Sequence, residues 1–183
     1  MKIITLGTSH GDPRPNRFNT STLYTSKDAA AAYLVDAGAP VQASIIRKNI
    51  DFSTLRAVFI THLHEDHYGG LSGILKHCIK YNYKLKVYLP ETKAIRVFTE
   101  LIDLSHRSDV NNCIQYFVIE PGMFFQDENI SIQAIPTRHM QNENCNAPSY
   151  AFVLQNTNIR ILHTGDLRGD FSDFPWTEIG RAS

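Results

Sequence analysis

Short apolar runs separated by turn residues make up most of the chain and predict a strand-rich protein of the α/β or α+β class. In the first half, runs of strand length alternate with segments whose apolar residues recur every three to four positions, the spacing of amphipathic helices. In the second half, polar turns at 127–129 and 156–158 predict hairpins. The predicted strands are 2–6, 21–26, 31–35, 56–60, 85–89, 114–119, 123–126, 130–135, 150–155 and 159–163, and the predicted helices begin at Pro40, cover 70–80 and cover 91–104.

Two stretches without apolar periodicity predict long loops. Residues 7–19 (GTSHGDPRPNRFN) are rich in Gly, Pro and Asn, and a loop of that length in a compact domain tends to be functional. Residues 140–148 contain Asn142, Asn144 and Asn146 but no aromatic residue. We expect the segments 9–19 and 140–148 to flank a site, and the asparagines of the second segment to favour a polar substrate.

Composition and charge exclude several classes of protein. A chain of 183 residues has room for one domain, and its 18 basic and 18 acidic residues give a formal net charge of zero. Avid sequence-independent binding to nucleic acid is therefore disfavoured. No apolar run approaches the roughly 18 residues of a membrane span, and the N-terminus lacks a secretory signal pattern. Three widely spaced cysteines without a CxxC pair predict reduced thiols in a cytoplasmic protein.

The segment His62-Leu63-His64-Glu65-Asp66-His67 concentrates three imidazoles and two carboxylates directly after a predicted strand. These are the groups that zinc, iron and manganese accept as ligands. On an extended strand end, His62 and His64 face the same side, and after a turn Asp66 and His67 can reach a second metal roughly 3.5–4 Å away. A solvated loop that contains these residues by chance is the alternative, expected in about one chain in a thousand. The metal interpretation is favoured.

The order of strand, THLHEDHYGG and helix resembles the His-x-His-x-Asp-His signature of the metallo-β-lactamase-fold hydrolases. Three other motifs of that family match in the expected order over residues 1 to about 173: Asp36 in YLVDAG, His139 in IPTRHM, and Asp166 in ILHTGD. The opening LGTSHGDPRPNRFNTSTLY and the later PSYAFVL look most like the ribonuclease Z and phosphodiesterase branch. On turn chemistry alone, Asp36 and Asp166 would also be ordinary turn residues.

The resemblance implies an α+β fold, an αββα sandwich of two mixed sheets, formed as a single domain over residues 1–183. It implies that His62, His64 and His139 bind the first metal, that Asp66 and His67 contribute to the second, and that Asp166 bridges both. Asp36 would not touch metal and would orient the ligands through hydrogen bonds.

The family pattern usually continues with a final His ligand and closing elements, and this chain ends seventeen residues after Asp166 with no His beyond His163. We therefore expect a C-terminally incomplete domain with one tight Zn²⁺ site and a weak second site, and iron or manganese fits the same ligands. The apolar segments 117–119 and 152–154 would be partly uncovered, which favours association into a homo-oligomer. Among the other histidines, the patterns predict His163 on a sheet face, His10 as a polar loop residue, and His77 and His106 on helix surfaces.

The resemblance implies a metal-dependent hydrolase that uses a metal-bound hydroxide, with Asp66 as its general base. We favour a phosphodiesterase acting on RNA ends, cyclic nucleotides or another small anionic phosphodiester. Zero net charge and the lack of an inserted arm argue against a large tRNA substrate. The alternatives are hydrolysis of a thioester or lactone at the same site and, in another class, a metal-binding remnant with little or no activity.

Overall fold

The computed structural model describes residues 1–12, 14–106, 113–142 and 145–178, which form two compact units, Met1–Val118 and Ile119–Ser183. All ten predicted strands are confirmed, with ends shifted by at most two residues. Asn144 lies outside the described residues, as does the side chain of His106. The single domain over 1–183 stays a prediction.

The first unit contains a six-stranded sheet in the order β1 to β6. Its first three strands pair antiparallel, and β3 to β6 pair parallel. The near-continuous apolar runs of β4 and β5 suit interior strands that are covered on both faces. The strands are β1 (Lys2–Gly7), β2 (Ser21–Thr25), β3 (Ala32–Val35), β4 (Leu55–Phe59), β5 (Leu85–Leu89) and β6 (Ile114–Val118).

Four α-helices follow the strands of this unit: α1 (Val41–Arg47), α2 (Glu65–Tyr68), α3 (Leu71–Lys80) and α4 (Thr92–His106). The three predicted helices correspond to α1, α3 and α4. Helix α3 buries Leu71, Ile74, Leu75 and Cys78, the three-to-four spacing that the sequence predicted. These side chains join a continuous apolar core with the inner faces of β2 to β5.

The second unit contains a four-stranded antiparallel sheet in the order β12-β11-β8-β7. Its strands are β7 (Gly122–Gln126), β8 (Ser131–Thr137), β11 (Ser149–Gln155) and β12 (Arg160–His163). Both predicted hairpins are confirmed. The expected loop 140–148 instead carries two short antiparallel strands, β9 (Gln141–Asn142) and β10 (Cys145–Asn146).

The expectation that residues 152–154 are uncovered is wrong. Phe152, Val153 and Leu154 are buried in the interior strand β11, which lies between β8 and β12. Since successive side chains point to opposite faces, both faces of the sheet are covered at this strand. Phe117 and Val118, on the edge strand β6, are exposed as expected, whereas Ile119 is buried. None of the helices in the described part of the chain has the length and hydrophobicity of a transmembrane span.

The three thiols are expected to differ sharply in reactivity. All three cysteines are free; Cys78 and Cys113 are buried, and Cys145 is partly exposed. Burial raises the pKa of the Cys78 thiol to about 12, and the thiolate is the reactive form. Titration of the native protein with a thiol-specific reagent at pH 8 should show one fast-reacting thiol, with all three reacting in denaturant. Fast reaction of Cys78 in the native state would contradict the burial of its side chain.

Candidate metal centre

The histidine-rich segment leaves the sheet in extended form and then makes one helical turn. Strand β4 ends at Phe59, and His64 is still extended (φ −83°, ψ 144°) as the residue that precedes α2. The predicted helix 70–80 is present as α3, but the short helix α2, which contains Asp66 and His67, was not predicted. The backbone amide of His67 donates to the carbonyl of His64 at 3.0 Å, and acidic residues in this first turn suit the helix dipole.

His62 and His64 point their rings at a common position, as their spacing predicted. His62 Nε2 and His64 Nδ1 are 3.0 Å apart. Two ligand atoms about 2.05 Å from one tetrahedral zinc would be about 3.3 Å apart. The pair therefore needs little movement to share an ion.

The buried carboxylate of Asp36 orients two histidines of this segment, His67 directly and His62 through Thr61. The Asp36 carboxylate accepts hydrogen bonds from the Thr61 amide at 2.8 Å and the Thr61 hydroxyl at 3.0 Å, and it contacts His67 Nδ1 at 2.7 Å. Asp36, His62 and His67 are each 0 % exposed. A carboxylate only accepts, so it assigns the His67 ring proton to Nδ1 and leaves the lone pair on Nε2.

The same carboxylate acts on His62 through Thr61. The Thr61 Oγ1 lies 3.0 Å from His62 Nδ1. Because the hydroxyl proton is directed at Asp36, the Thr61 oxygen accepts from the Nδ1–H of His62, whose lone pair is then on Nε2. Asp36 therefore prepares the Nε2 atoms of two imidazoles as ligands. Thr61 was missed at the sequence level, since a Thr after an apolar strand carries no distinctive signal.

Asp66 and His67 form the next pair of potential metal ligands. His67 Nε2 and Asp66 Oδ2 are 3.6 Å apart, with Asp66 only slightly exposed. That separation also suits two ligands of one ion. The backbone of α2 is anchored from the Asp36 side, because the Ala37 amide donates to the His67 carbonyl at 2.6 Å.

Close packing explains why the residue after Ala37 is a glycine, Gly38. A Cβ on Gly38 would stand 2.2 Å from the Asp66 carbonyl oxygen and 2.6 Å from the Asn19 Cβ. Asn19 is the last residue of the predicted loop 9–19, where its backbone pairs with Ser9 in an isolated bridge. The end of that loop therefore packs against the segment that carries Asp66.

In the second unit, His139 and Asp166 follow the ends of β8 and β12. His139 Nε2 and Asp166 Oδ2 are 3.6 Å apart, and both side chains are partly exposed. His139 Nδ1 donates to the Leu167 carbonyl at 3.2 Å. The lone pair is therefore on Nε2, the ring atom that faces Asp166 Oδ2. Gly165, at φ +58°, makes the left-handed turn that precedes Asp166.

Three other described histidines lie in a strand, a helix and a loop. His163 is in β12, paired with Phe152 and partly buried, as expected of a sheet-face residue. His77 is less exposed than expected of a helix surface, because its ring stacks on Phe52 with a centroid distance of 3.9 Å. His10 is an exposed loop residue.

The donor chemistry of both units fits a divalent transition metal. The first unit contains two imidazoles, and the second unit one, whose Nε2 faces another potential ligand atom while the opposite ring nitrogen contacts a carboxylate, a hydroxyl or a carbonyl. Neutral imidazole oriented in this way is the usual zinc ligand, and iron and manganese accept the same set.

Comparison with known proteins gives a family and a fold. The family model described as "Anti-Pycsar protein Apyc1" matches residues 1–178. The chain is 31 % identical over 139 residues to ribonuclease Z from Gloeothece citriformis, covering 76 % of this chain and 44 % of that protein. It is 34 % identical over 142 residues to ribonuclease Z from Listeria innocua, covering 76 % and 46 %. The chain therefore spans less than half the length of these curated relatives.

Solved structures show the same fold. The short form of human tRNase Z superposes with a TM-score of 0.74 at 23 % identity, over 93 % of this chain and 72 % of that one. YhfI from Bacillus subtilis, described as a metallo-β-lactamase fold protein, superposes with a TM-score of 0.72 at 19 % identity, over 90 % and 61 %. The α+β, metallo-β-lactamase-like fold predicted from the motifs is confirmed.

Proposed function

Because this chain belongs to the Anti-Pycsar protein Apyc1 family, with ribonuclease Z among its relatives, we propose that it forms the metal centre of a phosphodiesterase. One observation carries the proposal: a fully buried carboxylate, Asp36, sets the proton positions of two imidazoles at once. Buried ionisable groups cost stability unless they are paired. An arrangement that directs two lone pairs outward is expected where those lone pairs bind an ion.

The proposed ligand set follows the order of the family motifs. His62, His64 and His139 would hold one ion, and Asp66 and His67 would hold a second, with Asp166 bridging the two. Three imidazoles form the stronger donor set for zinc, so we expect one tightly held ion per chain and a second that exchanges more readily. When bound, such ions supply a Lewis acid that polarises a phosphoryl oxygen and acidifies water.

The protein's own groups would position the substrate and move the proton. Asp66 lies at the start of α2, 3.6 Å from His67 Nε2, where its carboxylate can accept a proton from an attacking water. Asp36 would act through His67 and Thr61, which its fully buried carboxylate contacts directly. The asparagine-rich segment after His139 offers amide groups to a polar substrate.

A small phosphodiester is the favoured substrate class. The ribonuclease Z relatives support phosphodiester chemistry, and a formal net charge of zero does not favour an extended polyanion such as tRNA. Hydrolysis of an acyl thioester or lactone at the same site is the competing proposal.

Parallel assays separate these activities. The zinc-loaded chain should hydrolyse bis-p-nitrophenyl phosphate and a cyclic nucleotide but leave an acyl thioester intact, and EDTA should remove the activity until zinc is restored. Turnover of the thioester alone would overturn the phosphodiesterase assignment. Zinc binding without turnover of any of the three substrates would favour the metal-binding remnant.

A further inference from the structure

A basic cleft lies in the first unit between strand β1, the loop that follows it, and the end of helix α1. Its volume is about 360 Å³, within the range of small-molecule sites. None of the proposed metal ligands lines it. The side chains that give it its chemistry are Thr8, Asn16, Arg17, Ser44, Arg47 and Lys48.

All the charged side chains that line the basic cleft are positive. Arg17, Arg47 and Lys48 line it, and no carboxylate does. Within the described ranges, the structure shows no ion pair for any of these three cations. The Arg47 guanidinium lies 6.0 Å from the centre of the Phe18 ring, which orients the side chain and leaves its charge without a counterion. Such a concave, unneutralised positive surface attracts anions.

Ser44 adds a second and independent observation. It is only 4 % exposed and lines the basic cleft, yet its hydroxyl has no hydrogen-bond partner among the residues that the structure describes. Buried hydroxyls are nearly always paired, and a helical Ser usually donates to the carbonyl four residues earlier. A buried hydroxyl without a partner among the described residues, in a cleft lined by three cations, is suited to donate to an oxygen of a bound anion.

We propose that the basic cleft binds the phosphate group of a small phosphorylated molecule, at a site separate from the proposed metal centre. A phosphate monoester carries close to two negative charges and three acceptor oxygens, which matches two guanidinium groups, an ammonium group and a hydroxyl. Arginine presents paired N–H groups in the geometry that phosphate oxygens accept. The size of the basic cleft fits a nucleotide-sized ligand rather than an RNA duplex.

Binding of inorganic phosphate and of adenosine 5′-monophosphate to the zinc-loaded chain tests the proposal. Calorimetry and thermal unfolding should be run at constant ionic strength, with NaCl as the compensating salt. We expect saturable binding of both probes, and a loss of about tenfold or more in affinity for Arg47→Gln. Lys93→Gln, which removes the positive charge of an exposed residue of α4 outside the basic cleft, should bind as the unaltered chain does.

Ser44→Ala separates binding from folding. Removing an unpaired buried hydroxyl should leave the ligand-free melting temperature unchanged or higher, while the stabilisation by phosphate decreases. A lower ligand-free melting temperature with undiminished phosphate binding would overturn the role of Ser44. Responses equal to those of NaCl, full binding by Arg47→Gln, or binding of an RNA oligonucleotide but of neither small probe would overturn the site.

The binding readout is independent of the proposed activity. Hydrolysis of bis-p-nitrophenyl phosphate by Arg47→Gln should match the unaltered chain if the basic cleft is separate from the metal centre. Parallel loss of phosphate binding and hydrolysis would show that the basic cleft belongs to that centre. If the chain hydrolyses nothing, saturable phosphate binding that is lost in Arg47→Gln still establishes the site.

Discussion

Replacing His62 with alanine is expected to remove the tightly held zinc and to lower hydrolysis of bis-p-nitrophenyl phosphate by about 10³-fold. His62 is fully buried, and its Nε2 faces His64 Nδ1 at 3.0 Å, so the change removes one of three proposed imidazole ligands. A metal ion contributes several kcal/mol of transition-state stabilisation, and each 1.36 kcal/mol corresponds to a factor of ten in rate. Zinc content after gel filtration and the initial hydrolysis rate measure the two effects.

His77→Ala is the matched control, because it removes a histidine of α3 that stacks on Phe52 and is not a proposed ligand. It should lower the free energy of unfolding modestly and leave zinc content unchanged. Circular dichroism of His62→Ala should match that of the unaltered chain in the zinc-free state. Zinc retained at one ion per chain in His62→Ala would remove His62 from the ligand set.

The parts of the site that follow one another in sequence were predictable, and the parts that meet through folding were less so. The spacing of His62 and His64 on extended backbone is a local property, and it places their ring nitrogens 3.0 Å apart as expected. Helix α2 was missed because four residues are too few to show a helical repeat of apolar positions. Thr61 was missed because its role depends on Asp36, twenty-five residues earlier in the chain.

Isolated ligands at a distance in sequence were assigned through the order of family motifs. A single His after β8 and a Gly-Asp after β12 are ordinary turn compositions by themselves. The structure adds that His139 and Asp166 lie 3.6 Å apart and that the Leu167 carbonyl orients the His139 ring. The burial of residues 152–154 was mispredicted for a related reason, since the sequence does not show that both faces of the sheet are covered at β11.

Asp36→Asn is expected to keep the fold and to lower zinc affinity by about 10- to 100-fold, the usual effect of losing a hydrogen-bond partner of a ligand. In the unaltered chain the Thr61 backbone amide donates to Asp36 Oδ1 at 2.8 Å, and the amide oxygen of the variant can still accept this bond. The amide nitrogen then takes the place of Oδ2, 2.7 Å from His67 Nδ1. Because this nitrogen donates, it favours the ring tautomer with its proton on Nε2, and the lone pair that would bind metal is lost.

Two further variants separate the proton position from packing. Asp36→Ala leaves His67 Nδ1, the Thr61 amide and the Thr61 hydroxyl without this partner and places Ala at φ +59°, so its free energy of unfolding in urea should fall by about 3–5 kcal/mol. Thr61→Val removes the hydroxyl that links Asp36 to His62 but leaves the 2.7 Å contact between Asp36 and His67 in place, so zinc affinity should fall less than in Asp36→Asn. Nitrogen NMR shifts of the imidazoles report the tautomer directly. A His67 ring that keeps its proton on Nδ1 in Asp36→Asn, with zinc affinity unchanged, would show that Asp36 serves the fold and not the metal centre.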